Sequence, residues 1–220
     1  VVTMSRNMLP FEWKELKRFG WSFMSLKLII LHFTQLRSFK KANGLIFLTR
    51  YARDLICVNK GINKKQIKTI PHGVSSNFFQ TNFSYRNKVF SKDNPCKVLY
   101  VSNITPYKHQ WNVIEAVSHL RNKQIPITLD LIGPSGPSFM RMKKIIDELD
   151  PGNDFVRYHG EVPYNLLKQY YATADIGVFA SSCENMPNTL LEGMASGIPM
   201  ACSNMGPMPE IMGDSDLYFN

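Results

Sequence analysis

"KVLYVSNITPYKHQWNVIEAVSHLRNKQIPITLDLIG" (97–133) decides how the chain is read. An almost unbroken apolar run, KVLYVSN (97–103), gives way after a polar turn to a segment with helical spacing, QWNVIEAVSHLRN (110–122), and then to a second apolar run, PITLDLIG (126–133). The alternation continues with PSFMRMKKIIDEL (137–149) as a helix, FVRYHG (155–160) as a strand, NLLKQYYATA (165–174) as a helix and IGVFASS (176–182) as a strand. PNTLLEGMASG (187–197) and IPMACS (198–203) close the series as helix and strand. Strands that are apolar on both faces, each joined to the next by an amphipathic helix, predict a parallel sheet covered on both sides. The fold class is therefore α/β, with a Rossmann-like domain over 97–220 whose ligand lies at the carboxyl ends of the strands.

Upstream the pattern is different. From Glu12 to about Lys41 apolar and basic residues mix at helical spacing, with Gly20 as a break; GLIFLT (44–49) reads as a short buried strand and RYARDLICVNKG (50–61) as a helix closed by Gly61. IKTIPHGV (67–74) reads as a strand running into a turn. The polar, Asn- and Ser-rich stretch from 75 to 96 lacks periodicity, so residues 1–80 are assigned to a first domain, 81–96 to a linker and 97–220 to a second domain. The start at Val1-Val2 and the end in DLYFN (216–220), within an apolar run, read as cuts through a longer protein.

Of the 220 residues 44% are hydrophobic and 20% charged, which suits a globular chain. The net charge of +9 is lopsided: residues 1–70 hold 14 Lys and Arg against Glu12, Glu15 and Asp54. With Trp13, Phe19, Trp21 and Phe23 set among these cations, the first third is a candidate for contact with an anionic membrane, or else a domain core with solvated charges. No motif for nucleic-acid binding accompanies them. Cys57, Cys96, Cys183 and Cys202 are too scattered for a zinc site or a disulfide framework and read as reduced thiols of a cytoplasmic protein. The longest apolar run, LIILHF (28–33), falls far short of a bilayer span.

The first turn of the sheet, VSNITPYK (101–108), has no glycine, which disfavours a dinucleotide, and no P-loop is present. Lys108 stands there instead, a point charge suited to phosphate. Across the sheet edge, CENMPNTLLEGMASGIP (183–199) places Pro187 in the first turn of a helix that begins near Met186 and ends at Gly197. The free amides near Asn188 and Thr189 then offer an anion site. Glu184, on the loop before the helix, and Glu192, more than a turn inside it, are assigned to neutral hydroxyls: Glu192 to a ribose and Glu184 to whatever lies beyond the phosphates. Gly133 in LIGPSG (131–136) permits close approach of a nucleotide or merely a tight turn, and His159 is either near the base or structural. Asp214-Ser215-Asp216 reads as a solvated loop, and no metal site is expected.

These residues also carry a resemblance. ENMPNTLLEGMASGIPMACSNMGPMPEIMGD (184–214) resembles the signature of the family 4 retaining glycosyltransferases of the GT-B fold: Glu184, seven residues, Glu192, then Ala195, Gly197 and Pro199, and later Pro209, Glu210 and Ile211. TIPHGVSSNFF (69–79), LYVSNITPYKHQWNVIEA (99–116) and VRYHGEVPYNLLKQYYATADIGVFASS (156–182) resemble three further motifs in the family's order. The resemblance implies two Rossmann-like domains with parallel sheets facing a cleft, the first only partly present, and transfer of a sugar with retention from a nucleoside diphosphate to an acceptor hydroxyl. It implies polysaccharide, lipopolysaccharide or glycolipid synthesis, with a carbohydrate or lipid-linked acceptor and no cofactor.

By that resemblance Lys108 and Glu184 are the catalytic candidates. Asn103, Gly133, His159, Asn185, Met186, Pro187, Asn188, Thr189 and Glu192 join them at the donor site, and Arg6, Asn7 and Gly73 face the acceptor. The chain departs from the family at Asn103, where an arginine is common, and in VVTMSRNMLPF (1–11), where many members have a histidine. The first departure keeps a non-catalytic sugar-nucleotide-binding subunit open as an alternative, beside a GT-B epimerase or phosphorylase.

Overall fold

The computed structural model describes residues 1–62, 66–79, 88–214 and 217–220, which fold around two parallel sheets. The first contains β1 (Val2–Met4), β2 (Gly44–Phe47) and β3 (Gln66–Thr69) in that order. Short helix α1 (Trp13–Lys17) and long helix α2 (Phe23–Lys41) connect β1 to β2, and α3 (Arg50–Cys57) precedes β3. The break between α1 and α2 is at Gly20, whose φ of 58° lies in the left-handed region. Two residues later the Ser22 hydroxyl accepts the Ser25 N–H at 3.3 Å and starts α2 as its N-cap.

The second sheet is built from β4 (Cys96–Val101), β5 (Ile127–Ile132), β6 (Val156–Tyr158), β7 (Ile176–Phe179), β8 (Met200–Ser203) and β9 (Tyr218–Phe219). Between them run α4 (Gln110–Asn122), α5 (Phe139–Leu149), α6 (Tyr164–Thr173), α7 (Asn188–Ala195) and α8 (Met208–Met212). The strand order is β6-β5-β4-β7-β8-β9 and every pairing is parallel. The chain works outward from β4 through β5 to β6, then returns to pair β7 on the other side, with Val98 opposite Ile176. That reversal leaves a crevice beyond the carboxyl ends of β4 and β7.

The two sheets share side chains across their boundary. Phe78, within the stretch assigned on sequence to the first domain, is buried in the second core and meets Tyr164 and Tyr171 edge-on at 5.5 and 5.7 Å. In the opposite sense Cys183, from the loop after β7, is buried among Phe11, Phe47 and Ile56 of the first core. The proposed linker begins in residues outside those described; 88–95 are irregular, and β4 starts one residue inside its far end.

A second tie is polar. The first amides of a helix have no intrahelical acceptor and must find one elsewhere. Those of Arg50 and Tyr51 donate at 2.8 Å each to the carboxylate of Glu210 on α8, while Thr49 Oγ1 accepts the Ala52 N–H at 3.1 Å. One carboxylate thus caps a helix about 160 positions away in sequence, where the helix dipole favours negative charge. Glu210→Ala is expected to lower the stability of the chain by about 2 kcal/mol in urea unfolding, the worth of hydrogen bonds to a charged group. Arg53→Ala, which removes only an exposed contact to Asp54, should change it by less than about 0.5 kcal/mol; equal effects would refute the cap.

Candidate functional site

Two loops meet at the crevice. After β4 the chain makes a 3-10 turn over Pro106–Lys108, and His109, in the left-handed conformation with φ of 54°, turns it into α4. After β7 it runs through residues 180–187 into α7. The Ser182 N–H donates to the Tyr107 carbonyl at 2.9 Å, and the His109 Nε2 and Ser182 hydroxyl lie 2.8 Å apart, so the loops are fastened to each other.

Lys108 is buried in this seam and is not a solvated cation. Its ammonium lies 4.8 Å from the ring centre of Phe179 and forms an ion pair with Glu184. The Ser181 hydroxyl donates to the same Glu184 Oε1 at 2.6 Å, and the Tyr100 hydroxyl fixes the Lys108 carbonyl at 2.6 Å. Two charges withdrawn from water in this way depend on each other, because removing one strands the other. The sequence placed Lys108 and Glu184 on separate loops; the structure makes them one unit.

Helix α7 starts at Asn188, with Pro187 as the cap residue in extended conformation (ψ 114°) instead of in the first turn. Gly197, at φ of 73°, follows its end. Gly193 lets the helix settle on the sheet: a Cβ there would come within 2.7 Å of the Met200 sulfur. Glu192 is consequently buried. The Tyr164 hydroxyl donates to its Oε1 at 3.1 Å, whereas Oε2 is buried without a hydrogen-bond partner. Burial raises the carboxyl above the usual range, partly opposed by the Tyr164 bond. A buried acceptor with spare capacity is chemically matched to a hydroxyl donor.

Beside it a cavity of about 620 Å³ opens at the ends of β4 and β5, lined by Ser102, Asn103, Gly133, Pro134, Tyr164 and Thr189 among others. Gln110 Nε2 donates at 2.8 Å to both the Ser102 hydroxyl and the Asn103 carbonyl, holding the backbone of the wall while the Asn103 side chain stays exposed. Gly133 has φ of 142°, and a Cβ there would stand 2.1 Å from the Ser102 carbonyl oxygen. Its missing side chain is therefore required first by the contact between two strand ends.

The remaining candidates fall into two groups. His159 is held by Asp130 at 2.6 Å and packs edge-on against Tyr170, and it is not one of the residues that line the cavity. Asn185 Nδ2 donates to the Ser5 carbonyl at 2.9 Å, and the His72 N–H donates to the Met186 sulfur at 3.1 Å. These two residues thus hold the loops after β1 and β3 against the loop that carries Glu184. Arg6 and Asn7, next to Ser5, are exposed, as is Gly73 beside His72. Asn7 Oδ1 accepts the Leu9 N–H at 3.1 Å.

Sequence reasoning missed Ser181, Tyr164 and Gln110. All three lie inside stretches that resemble family motifs, but neither residue type nor spacing singles them out there. Among the described residues no group of three or more His, Cys, Asp or Glu side chains is arranged to hold a metal ion. Ser215 and Asp216 of the Asp-Ser-Asp stretch lie outside those residues.

Residues 82–217, which include both loops, α7 and the cavity lining, match the family described as Glycosyl transferases group 1. The chain belongs to this family. It is 30% identical over 120 residues to the O-antigen chain mannosyltransferase B of Escherichia coli, covering 54% of this chain and 31% of that one. It is also 26% identical over 162 residues to the MMP alpha-(1->4)-mannosyltransferase of Mycolicibacterium hassiacum, covering 72% and 36%. The chain therefore spans about a third of the length of these two relatives. Among solved structures it resembles Anabaena HepE in complex with UDP and glucose, with a TM-score of 0.68, 18% identity and coverage of 96% of this chain and 54% of that one. The shared fold is the GT-B arrangement of glycosyltransferases, with which the two parallel sheets agree.

The raised carboxyl of Glu192 yields a signed prediction. Its charge is unfavourable in the folded chain, so the stability it contributes is fully present below the unfolded value of about 4.5 and is lost as pH rises through the folded value. Glu192→Gln should therefore be more stable than the parent at pH 7 and converge with it below about pH 4.5 in thermal unfolding. A variant less stable at pH 7 would show that the carboxylate is internally compensated.

Proposed function

We propose that the chain forms the donor half of a retaining glycosyltransferase, which moves a sugar from a nucleoside diphosphate to an acceptor hydroxyl. The observation that carries this reading is the juxtaposition, at one sheet edge, of a 620 Å³ cavity, the buried Lys108–Glu184 pair and the unpartnered oxygen of Glu192. Membership of the glycosyl transferases group 1 family and the mannosyltransferase names of the relatives support it.

In this reading the nucleoside occupies the cavity along Asn103, Gly133 and Thr189, with its ribose hydroxyls donating to Glu192. The diphosphate then reaches the first-turn amides of α7 at Asn188 and Thr189 and the ammonium of Lys108. Glu184, which shares Lys108 with the phosphates, accepts hydroxyls of the sugar. As the anomeric C–O bond breaks, its electron pair stays on the diphosphate oxygen and the sugar gains oxocarbenium character. The rate then depends on positive charge already in place at the leaving group. Lys108 is such a charge because its position is fixed by Tyr100 and Phe179 before any donor arrives.

Retention in this reading uses no enzyme nucleophile. Glu184 already takes the Lys108 ammonium and the Ser181 hydroxyl, and Glu192 sits within α7, so the leaving phosphate oxygen receives the acceptor proton on the face from which it departs. The residues bridging the sheets, Asn185 and Met186, set the acceptor loops near Arg6, Asn7 and Gly73 at the cleft. Charge on the leaving group is met by Lys108 and amides, and transfer is expected to persist in the presence of EDTA. The acceptor is a carbohydrate or lipid-linked hydroxyl in polysaccharide, lipopolysaccharide or glycolipid synthesis.

The test is calorimetry and product analysis on the full-length protein with a panel of nucleoside diphosphate sugars. One donor should bind selectively and be consumed only with acceptor. Lys108→Ala is expected to lower kcat/KM at least about a hundredfold, the scale of losing a preorganised charge at a developing anion. Glu192→Gln should weaken donor binding about tenfold or more, the loss of a charged hydrogen bond. Binding without turnover would favour a sugar-nucleotide-binding subunit instead.

A further inference from the structure

Helix α2 is apolar on two faces. Its inner face buries Leu28 and His32 and, through Phe39, closes the first core, with His32 Nδ1 2.7 Å from the Pro10 carbonyl. Its outer face carries Phe23, Leu26, Ile30 and Phe33, spaced three or four residues apart and therefore in one stripe. Phe23 is 83% exposed, Phe33 64%, and Trp21 just before the helix is fully exposed. Large aromatics in this density on one surface stay largely exposed in the described chain, and such patches mark interaction sites.

The charge around the stripe is of one sign. No Asp or Glu occurs between residues 16 and 53, a stretch that contains Lys17, Arg18, Lys27, Arg37, Lys40, Lys41, Arg50 and Arg53. Lys27, Arg37 and Lys41 are exposed and extend the same face, and none of them enters a salt bridge among the described residues. An isologous contact between two copies would set these cations against each other with no acid between them. Nucleic acid would be met by the cations and rings, but it offers nothing to Leu26 and Ile30.

We propose that the outer face of α2, with Trp21, is a surface that lies on an anionic lipid bilayer, its Trp, Phe, Leu and Ile side chains entering the acyl boundary. Lys27, Arg37 and Lys41 pair with the headgroups around it. The helix lies in the plane of the interface and does not cross it: among the described residues no helix is long and apolar enough to span a membrane. The surface is separate from the donor crevice, so it stands or falls without reference to the catalytic reading.

The test is sedimentation of the intact protein with vesicles of phosphatidylcholine alone and of phosphatidylcholine mixed with phosphatidylglycerol, at low and high salt. Strong partition onto the mixed vesicles is expected, weakening as salt screens the attraction. Two variants separate the contributions: Trp21→Ser with Phe23→Ser and Phe33→Ser, and Lys27→Glu with Arg37→Glu and Lys41→Glu. Each should reduce partition about tenfold or more. All six positions are exposed, and circular dichroism checks that the variants remain folded. A blue shift of Trp fluorescence on adding the mixed vesicles, lost in Trp21→Phe, would place that ring in the interface. Equal binding to both lipid mixtures, binding unaffected by either variant, or a concentration-dependent dimer abolished by the serine variant in place of vesicle binding would each overturn the proposal.

Discussion

The ion pair between Lys108 and Glu184 is the constraint around which the crevice is arranged. Neither charge is tolerable alone at that depth, so the loops after β4 and β7 must be held in register, and the Ser182–Tyr107 backbone bond does this. Phe179 then lies under the ammonium, Tyr100 holds the Lys108 backbone carbonyl, and Ser181 fixes the carboxylate. The order of strands determines where this happens. The reversal between β4 and β7 brings the two loops together at the same sheet edge where the cavity opens.

The same loop ties the crevice to the first sheet. Cys183 is packed in the first core, Asn185 holds the Ser5 carbonyl and Met186 receives the His72 amide, so Glu184 stands between residues committed to the other unit. Burial pushes the Cys183 thiol well above its ordinary range, consistent with a packing role. Glu210 adds a polar cap on α3 from outside this loop. The position of the loops after β1 and β3 relative to the ion pair is therefore set by contacts whose partners are distant in sequence, two of them backbone groups.

Glu192 shows the opposite economy. Its buried oxygen without a partner costs stability at neutral pH, and neighbouring Tyr164, which bonds the other oxygen, also walls the cavity. A fully satisfied side chain in its place would make a more stable helix and a poorer acceptor for hydroxyls. Polar capacity left open inside a fold is a common mark of binding sites, and here it lies one helical turn from the amides of Asn188 and Thr189.

The sequence by itself determined the architecture, because apolar periodicity is local: nearly continuous runs joined by amphipathic helices allow little besides a covered parallel sheet, and the breaks at Gly20 and Gly197 are visible as single residues. Lys108, Glu184 and Glu192 were legible as candidates from residue type and spacing. What only the tertiary structure decided is which groups meet. That Lys108 pairs with Glu184 depends on two loops 76 positions apart, that Tyr164 serves Glu192 depends on α6 lying beside α7, and that Glu210 caps α3 depends on the two sheets touching. Gly133 carries the same lesson: its need for no side chain comes from the Ser102 carbonyl, just beyond the end of neighbouring β4. Periodicity records what each segment buries, whereas pairing across loops is fixed by packing in three dimensions, and no spacing along the chain encodes it.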